Sequence, residues 1–532
     1  MKKFKLLSIF VLGLLVSCQD NLIDTDIEPV NQNEPTLAAL LTPTGMQGYA
    51  KGMYIHTTDP ARSVNFWFVS GYHETMGDNL TMPWGNFGGR WVNQTASLQF
   101  DSNVLVPPPT GITIPASQTI TPPAGGPQPG EIAVRNTRAA GSDNPTQYEW
   151  AEYYAVNNHA NVILDNIDNT EDLSASQKDA YKAWALWWKA YAYSRLGLMY
   201  EQGVINDVPG ATNNSFVNSA GLIAESERIL DVLTTTINGV ADATAFNAIL
   251  SDVQIDIAGN SVDMAGLVKN INSLRARNLV YSTKVADMTA ADWNNVITWC
   301  NNGVSANTEA FSMTSEATVL DNGWLPGVVS GFWYFPSPRL IQDINAGDNR
   351  LDAYFDPFVF PNPRGRGIQY GCNYFWKDPS PIVSGTAGAI KLYYGATHEE
   401  NELLLAEAKI RTSDIEGGLA HLDAVRNLQN SGLPATVGTG LSQADAWEEV
   451  RKERRLALIF RGLAFYDARR YGIASGSRTG AWVVGLTEQV PNTDPVQTYT
   501  PVYTNATINY GYLEYWPVPA FESDFNSPGA QN

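Results

Sequence analysis

From residue 147 onward the apolar positions recur mostly at helical spacing, and before it they do not. YEWAEYYAVNNHANVILDNI (148–167) predicts a first long helix. Ser174 and Gln177 then stand three apart, the spacing of a capping box at the start of the next one. In that helix, AYKAWALWWKAYAYSRLGLMY (180–200), Trp184, Trp187, Trp188 and Tyr191 fall at i, i+3, i+4 and i+7. Residues so spaced share one face, and the pattern predicts a packed helix–helix seam in preference to a ring platform for a ligand. ESERILDVLTTTING (225–239), DMAGLVKNINSLRARNLVYST (263–283) and ADWNNVITWCNNGV (291–304) follow, the first and last stopping at Gly239 and Gly303. HEENELLLAEAKIR (398–411), GGLAHLDAVRNLQ (417–429) and AWEEVRKERRLALIFRGLAFYDARRYG (446–472) complete the helices, and the tail reads as strand or loop.

The rest lacks that period. NFWFVSGYHETMGDNLTMPWGNFGGRW (65–91), rich in Gly, Asn and Trp, predicts loops with exposed rings rather than helix. Val104 to Gly141 carries PPP and GGPQPG and predicts an insertion. Residues 311–397 are again loop-rich. Tyr193, Leu196, Gly197 and Tyr200 fit the spacing of a tetratricopeptide first helix, with Trp293 and Val296 a weaker fit. The fold class expected is therefore mostly α: tetratricopeptide-like helix pairs, mainly 147–303 and 398–472, carrying a large loop-rich face, mainly 60–146 and 311–397, in one domain over 36–532.

The first residues change the picture of where this body sits. Lys2, Lys3 and Lys5 precede an apolar run from Leu6 to Val16, which is too short to span a bilayer and has the layout of a secretory signal. It ends in Leu15-Val16-Ser17-Cys18, which resembles a bacterial lipobox; residues 1–17 would then be removed and Cys18 would carry lipid. Residues 18–35, polar and acidic, read as a flexible tether. Loss of the three lysines would take the net charge of −20 to about −23, a field that repels nucleic-acid phosphates and anionic lipid. Only Cys300 and Cys372 would remain; a disulfide between them is open, and a zinc site has no CxxC or Cys/His cluster to support it. The acidic run Asp343, Asp348, Asp352 and Asp356 lacks the glycine-bearing spacing of a calcium loop and reads as helix capping and surface charge. In 446–472, Arg451, Arg454 and Arg455 with Glu448, Glu449 and Glu453 read as intrahelical pairs worth a few tenths of a kcal/mol each.

Several segments, taken in order, resemble the SusD/RagB family of outer-membrane nutrient-binding lipoproteins. ENELLLAEAKIR with GGLAHLDAVRNLQ looks like that family's AEA helix and its neighbour. VRKERRLALIFRGLAFYDARRYG is similar to its Glu-Arg, Gly and aromatic-Asp-x-x-Arg segment, and YLEYWPVPAFESDFNSPGAQN to its terminal Pro-x-Pro-x-x-Glu and Asn-Pro-Gly pattern. GDNRLDAYF and LMYEQGVINDVPG upstream also match. Arg461 and Ala464 depart from the pattern, standing where the family often has Glu and Arg, so an ion pair usual there is not carried over. The resemblance implies a lipid-anchored protein at the outer membrane, facing the cell exterior. It would capture oligosaccharides without cleaving them and pass them to a SusC-like TonB-dependent transporter, with no cofactor and no metal.

Sugar capture suits the aromatic loops. Flat rings cover the C–H face of a pyranose, and amide or carboxylate groups meet its hydroxyls. The candidate rings are those outside helix stripes: Trp84 and Trp91 with Asn86 in the first loop region, and Trp324, Trp333 and Tyr334 in the second. Asp78 and Asn79 are the candidate hydroxyl partners. Two other readings stay open. A peptide-binding or protein-interaction scaffold would use the helix pairs alone. A surface glycoside hydrolase would need two carboxylates flanking the scissile bond, and the sequence contains no HExxH, GxSxG, Walker or GxGxxG motif.

Overall fold

The computed structural model describes residues 37–526 and 528, apart from 59–64, 106–112, 117, 212, 256–260, 314–332, 361–369, 385, 387–388 and 488–499. The expected signal, tether and Cys18 lie outside these residues, as does Trp324.

Helices form where the period predicted them, and one more, Ala243–Val253, forms where the sequence reading named none. After α1 (Asn65–Met76) come α2 (Gln147–Asn166), α3 (Ala175–Met199), α4 (Ser219–Asn238), α5 (Ala243–Val253), α6 (Met264–Ser282) and α7 (Ala290–Asn301). The second block holds α8 (His398–Arg411), α9 (Ile415–Leu428), α10 (Gln443–Ala457) and α11 (Ala464–Arg470). The capping box is present: Ser174 Oγ accepts from the Gln177 N–H and Gln177 Oε1 from the Ser174 N–H. α3 is the axis of the first block, packed by α2, α4 and α5. Its tryptophan face is buried as expected, Trp187 lying 4.2 Å from Phe311 and Trp188 4.8 Å from Tyr394, ring centre to ring centre. In the second block α8 packs against α7, α9 and α10. The chain is thus mostly helical. Among the described residues no helix is long and apolar enough to cross a membrane.

Three sequence readings are corrected. Asn65–Met76, expected as loop, is helical, with Tyr72, His73, Glu74 and Met76 buried. Its small and polar residues hide the period because its neighbours are themselves polar: His73 Nε2 meets Glu149 Oε2 at 2.9 Å. The proline-rich insertion holds the helix Gln128–Arg135 and contributes Thr119–Ile120 to a sheet. That sheet joins β1 (Ser97–Phe100), β2 (Thr119–Ile120), β3 (Ser477–Thr487) and β4 (Thr500–Asn509) in the antiparallel order β3–β4–β1–β2, with Ile508 opposite Leu98 and Leu98 opposite Ile120. Finally, 446–472 is two helices. The chain breaks at Leu458–Leu463, where Phe460 and Gly462 take positive φ and the Gly462 N–H donates to Glu74 Oε1 at 2.9 Å.

Most of the arginines of α10, and Glu453 with them, turn inward, while Glu448 stays part-exposed. Arg454 is buried and donates to Asp467, Glu453 is buried beneath Arg350 and Arg426, and Arg455 reaches Asp343. Arg451 alone of the three arginines also pairs along the helix, with Glu448 at 2.7 Å. Asp343 and Asp348 of the acidic run are likewise buried against arginines, whereas Asp352 and Asp356 are exposed. Cys300 and Cys372 are both buried and are not bonded to each other, which answers the open question of their pairing.

Replacing Trp188 by Ala should cost about 3–5 kcal/mol, the range for emptying a packed aromatic site, read as a lower urea midpoint with unchanged slope. Glu74 supplies a pH test. Burial pushes its carboxyl up from 4.5 to about 7, only partly offset by its bonds from Asn79 and Gly462. The native state therefore holds this proton more tightly than the unfolded one. Its contribution is complete below pH 4.5 and is lost as pH rises through about 7. Relative to Glu74→Gln, the wild type should lose about 3 kcal/mol of unfolding free energy across that window, at roughly 1.4 kcal/mol per unit. A constant difference between the two proteins from pH 4.5 to pH 7.5 would place the ionisation elsewhere.

Candidate functional site

The two loop regions singled out in the sequence meet at a short antiparallel ribbon. Leu80 pairs with Pro336 and Thr81 with Phe335. On one side the ribbon continues from the turn that ends α1, in which Asp78 takes φ 57°. On the other it leads into Ser337, which caps the helix Pro338–Asp343 and bonds the Asn79 carbonyl through its N–H at 2.9 Å.

Asp78 and Asn79 build this junction rather than face a ligand. Both are buried. Asp78 accepts from Arg339 Nη2 at 2.8 Å, from Ser337 Oγ at 2.9 Å and from the Tyr510 hydroxyl at 2.6 Å. Burial would raise its pKa, but the Arg339 guanidinium outweighs that and holds the carboxyl down at about 2. Asn79 donates to Glu74 Oε2 at 3.0 Å and accepts from Arg455 Nε at 3.0 Å. The space left beside these groups is about 40 Å³, room for water and not for a sugar ring. As hydroxyl partners the two residues are therefore corrected: their polar atoms are already used inside the fold. Tyr334 is corrected for the same reason. It is fully buried, its carbonyl takes the Trp376 indole N–H at 2.8 Å, and its ring fills the space that a side chain on Gly71 would occupy.

Trp84, Trp91 and Trp333 are half-buried and Asn86 is exposed. Gln94 pins the Trp84 loop by donating to the carbonyls of Met82 and Trp84, each at 2.8 Å. The short turn Asn86–Gly88 then reverses the chain; Gly88 has φ 78°, and a Cβ there would also meet the Asp143 carbonyl at 2.9 Å. The short helix Gly89–Asn93 presents Trp91, whose ring centre lies 4.0 Å from the Arg135 guanidinium and 5.1 Å from that of Arg90. A ligand on Trp91 would share the ring with these cations. The ribbon thus brings the loop holding Trp84, Asn86 and Trp91 and the segment holding Trp333 onto one framework.

The sequence reading missed one ring pair beside it. Trp482 on β3 and Tyr503 on β4 stand 4.8 Å apart, Tyr503 exposed, and the Trp482 carbonyl accepts from Arg339 Nη1 at 3.2 Å. The β-branched run around each ring was the available signal, but nothing local tells which strand it would join.

The His73–Glu149 contact is the kind of pair that hydrolases use, yet both side chains are sealed and Arg195 Nη2 and Nε hold Glu149 Oε1 at 2.8 and 3.0 Å. Burial lowers the His73 pKa despite the glutamate beside it. Among the described residues no three His, Cys, Asp or Glu side chains gather as a metal set.

Comparison with known proteins matches this geometry. No curated protein matches the chain. A SusD superfamily protein from Bacteroides fragilis has a similar fold, with a TM-score of 0.56 over 92% of this chain and 99% of its own at 14% identity. A SusD homolog from Bacteroides thetaiotaomicron VPI-5482 gives 0.53 over 81% and 89% at 13% identity. A candidate sugar binding protein from Bacteroides vulgatus ATCC 8482 gives 0.54 over 91% and 96% at 15% identity. Residues 402–532 match the SusD family in sequence. The sequence match thus covers α8–α11 and the tail, and the fold is similar to that of SusD-like proteins over nearly the whole chain.

Proposed function

We propose that this protein captures oligosaccharides at the cell surface and delivers them, uncleaved, to a SusC-like TonB-dependent outer-membrane transporter. The observation that carries the reading is the junction just described: a SusD-like scaffold on which one ribbon joins both aromatic loop regions. The sugar-binding description of a structural neighbour supports the ligand class. Trp84, Trp91, Trp333 and Trp324 supply rings, the last lying outside the described residues, and Asn86 supplies an amide for hydroxyls. Trp482 and Tyr503 extend the ring surface.

Non-catalytic capture is consistent with the sealed state of His73 and Glu149. Cys18 carries the lipid that holds the body at the outer face of the outer membrane, and residues 18–35 let it stand off and meet the transporter. Single-domain organisation over 36–532, with tetratricopeptide-like pairs as the surface facing partners, is part of the same reading.

Purified protein should bind at least one plant or host glycan in affinity gels and release no new reducing ends on prolonged incubation; turnover would favour the hydrolase, and binding of peptides alone the scaffold. Trp84→Ala, Trp91→Ala, Trp324→Ala and Trp333→Ala should weaken that binding by about 1–3 kcal/mol for each ring that anchors ligand, by analogy with interface hot spots. If all four leave affinity intact, the ligand face is elsewhere. Cys18→Ala should move the protein from the membrane to the soluble fraction of fractionated cells.

A further inference from the structure

A second cleft, of about 900 Å³, lies between α2, the segment after the strand Gln202–Val204, and the C-terminal turn beginning at Ala520–Ser523. Its volume falls within the range of small-molecule sites. Nothing in the sequence analysis pointed to it.

Its walls are built and tied. The Asn206 carbonyl accepts from Asn157 Nδ2 at 3.0 Å, Asn161 Nδ2 at 2.8 Å and Lys189 Nζ at 3.1 Å, which fastens the loop to α2 and α3. The Asn526 amide donates to the Asn213 carbonyl at 2.7 Å and to Glu522 Oε1 at 2.8 Å, so the C-terminal turn closes the opposite side. Trp150 and Tyr154, 4.6 Å apart, line one wall, and Phe521 and Phe525 the other. Phe525 is 77% exposed, an unusual state for a phenylalanine on a short, hydrogen-bonded turn.

The polar lining is chemically uniform. It consists almost wholly of asparagine, with the single acid Glu522 and no lysine or arginine. Asn158 uses its oxygen to accept from the Gly210 N–H at 3.0 Å; among the described residues its amide NH₂ has no protein acceptor, and the Asn214 amide is bonded at neither end. Primary amides offer two donors and an acceptor at one site, the match for a hydroxyl that both donates and accepts. The one guanidinium beside Phe525, that of Arg138, lies 4.8 Å from the ring centre and is already paired with Asp524 at 2.8 Å, and an apolar ligand would leave the amides without partners.

We infer that this cleft is a saccharide site in its own right, taking a neutral oligosaccharide with its ring faces on Phe525 and the half-buried Tyr154 and its hydroxyls on Asn158 and Asn214. It shares its ligand class with the capture reading but uses none of the same residues. A chain with two sites can hold a long glycan at two points, which raises retention without tighter contacts at either.

Hydrogen-exchange mass spectrometry on the full mature chain tests this, with maltohexaose, xylohexaose, mannohexaose and arabinohexaose as probes. At least one hexaose should slow exchange in 206–214 and 520–526. Phe525→Ala should raise the concentration needed for that protection roughly tenfold to a hundredfold, the range of a lost anchor. Trp91→Ala should leave it unchanged. Protection confined to 84–91 and 333–336 would overturn the second site while leaving capture at the ribbon standing. Protection at the cleft that survives Phe525→Ala and Asn214→Ala together would overturn the assignment, and absence of protection anywhere would overturn both readings.

Discussion

Three guanidiniums, from Arg451, Arg455 and Arg478, converge on the carboxylate of Asp343, and beside them Arg339 closes on Asp78. Through these two acids the turn after α1, the helix Pro338–Asp343, α10 and the β3–β4 hairpin are held in one arrangement. The physics makes it an all-or-none closure. Taking a carboxylate or a guanidinium from water costs several kcal/mol per ion, and only a well-placed partner offsets it. Asp343 stays ionised far below the usual carboxylate range although burial works against it. Either acid left alone would be an uncompensated buried charge, as would any of the arginines. The same logic repeats in Arg470 with Glu407, Arg350 with Asp348 and Glu453, and Arg277 with Glu400. Such pairs add little net stability over apolar packing, but they penalise every arrangement in which they are not met.

Function rests on that framework by division of labour. Residues nearest the junction, Asp78, Asn79 and Tyr334, are consumed in holding the ribbon. Residues a few positions beyond it, Trp84, Asn86 and Trp91 on one strand and Trp333 on the other, are left half-buried or exposed. The departures from the family pattern belong to the same region. Arg461 lies 4.5 Å over the Tyr393 ring, and Ala464 packs so closely on Gly77 that a Cβ there would meet the Ala464 carbonyl carbon at 2.3 Å. Close packing and a cation–ring contact occupy these two positions, where the sequence reading carried over no ion pair.

Much of this was legible before any coordinates. Trp184, Trp187, Trp188 and Tyr191 at helical spacing had one physical use, burial along α3, and that is where they lie. The Ser174–Gln177 box, the helices of the two blocks and the order of the C-terminal motifs were equally readable, because each depends on residues within a few positions of one another. α1 was misread because Glu74 and His73 look like surface residues until Asn79, Gly462 and Glu149 are set beside them. The charged run of α10 looked like solvent-facing pairs for the same reason.

Local periodicity and capping thus determined the helical class, the buried tryptophan seam and the family resemblance from the amino-acid sequence alone. Tertiary structure decided which charges are interior, which rings are structural and where a cleft opens. Those outcomes turn on partners far away in the chain, Asp78 with Tyr510, Asn79 with Arg455, Asn213 with Asn526. A side chain's desolvation is set by everything that packs around it, and its own neighbours in sequence carry no record of that.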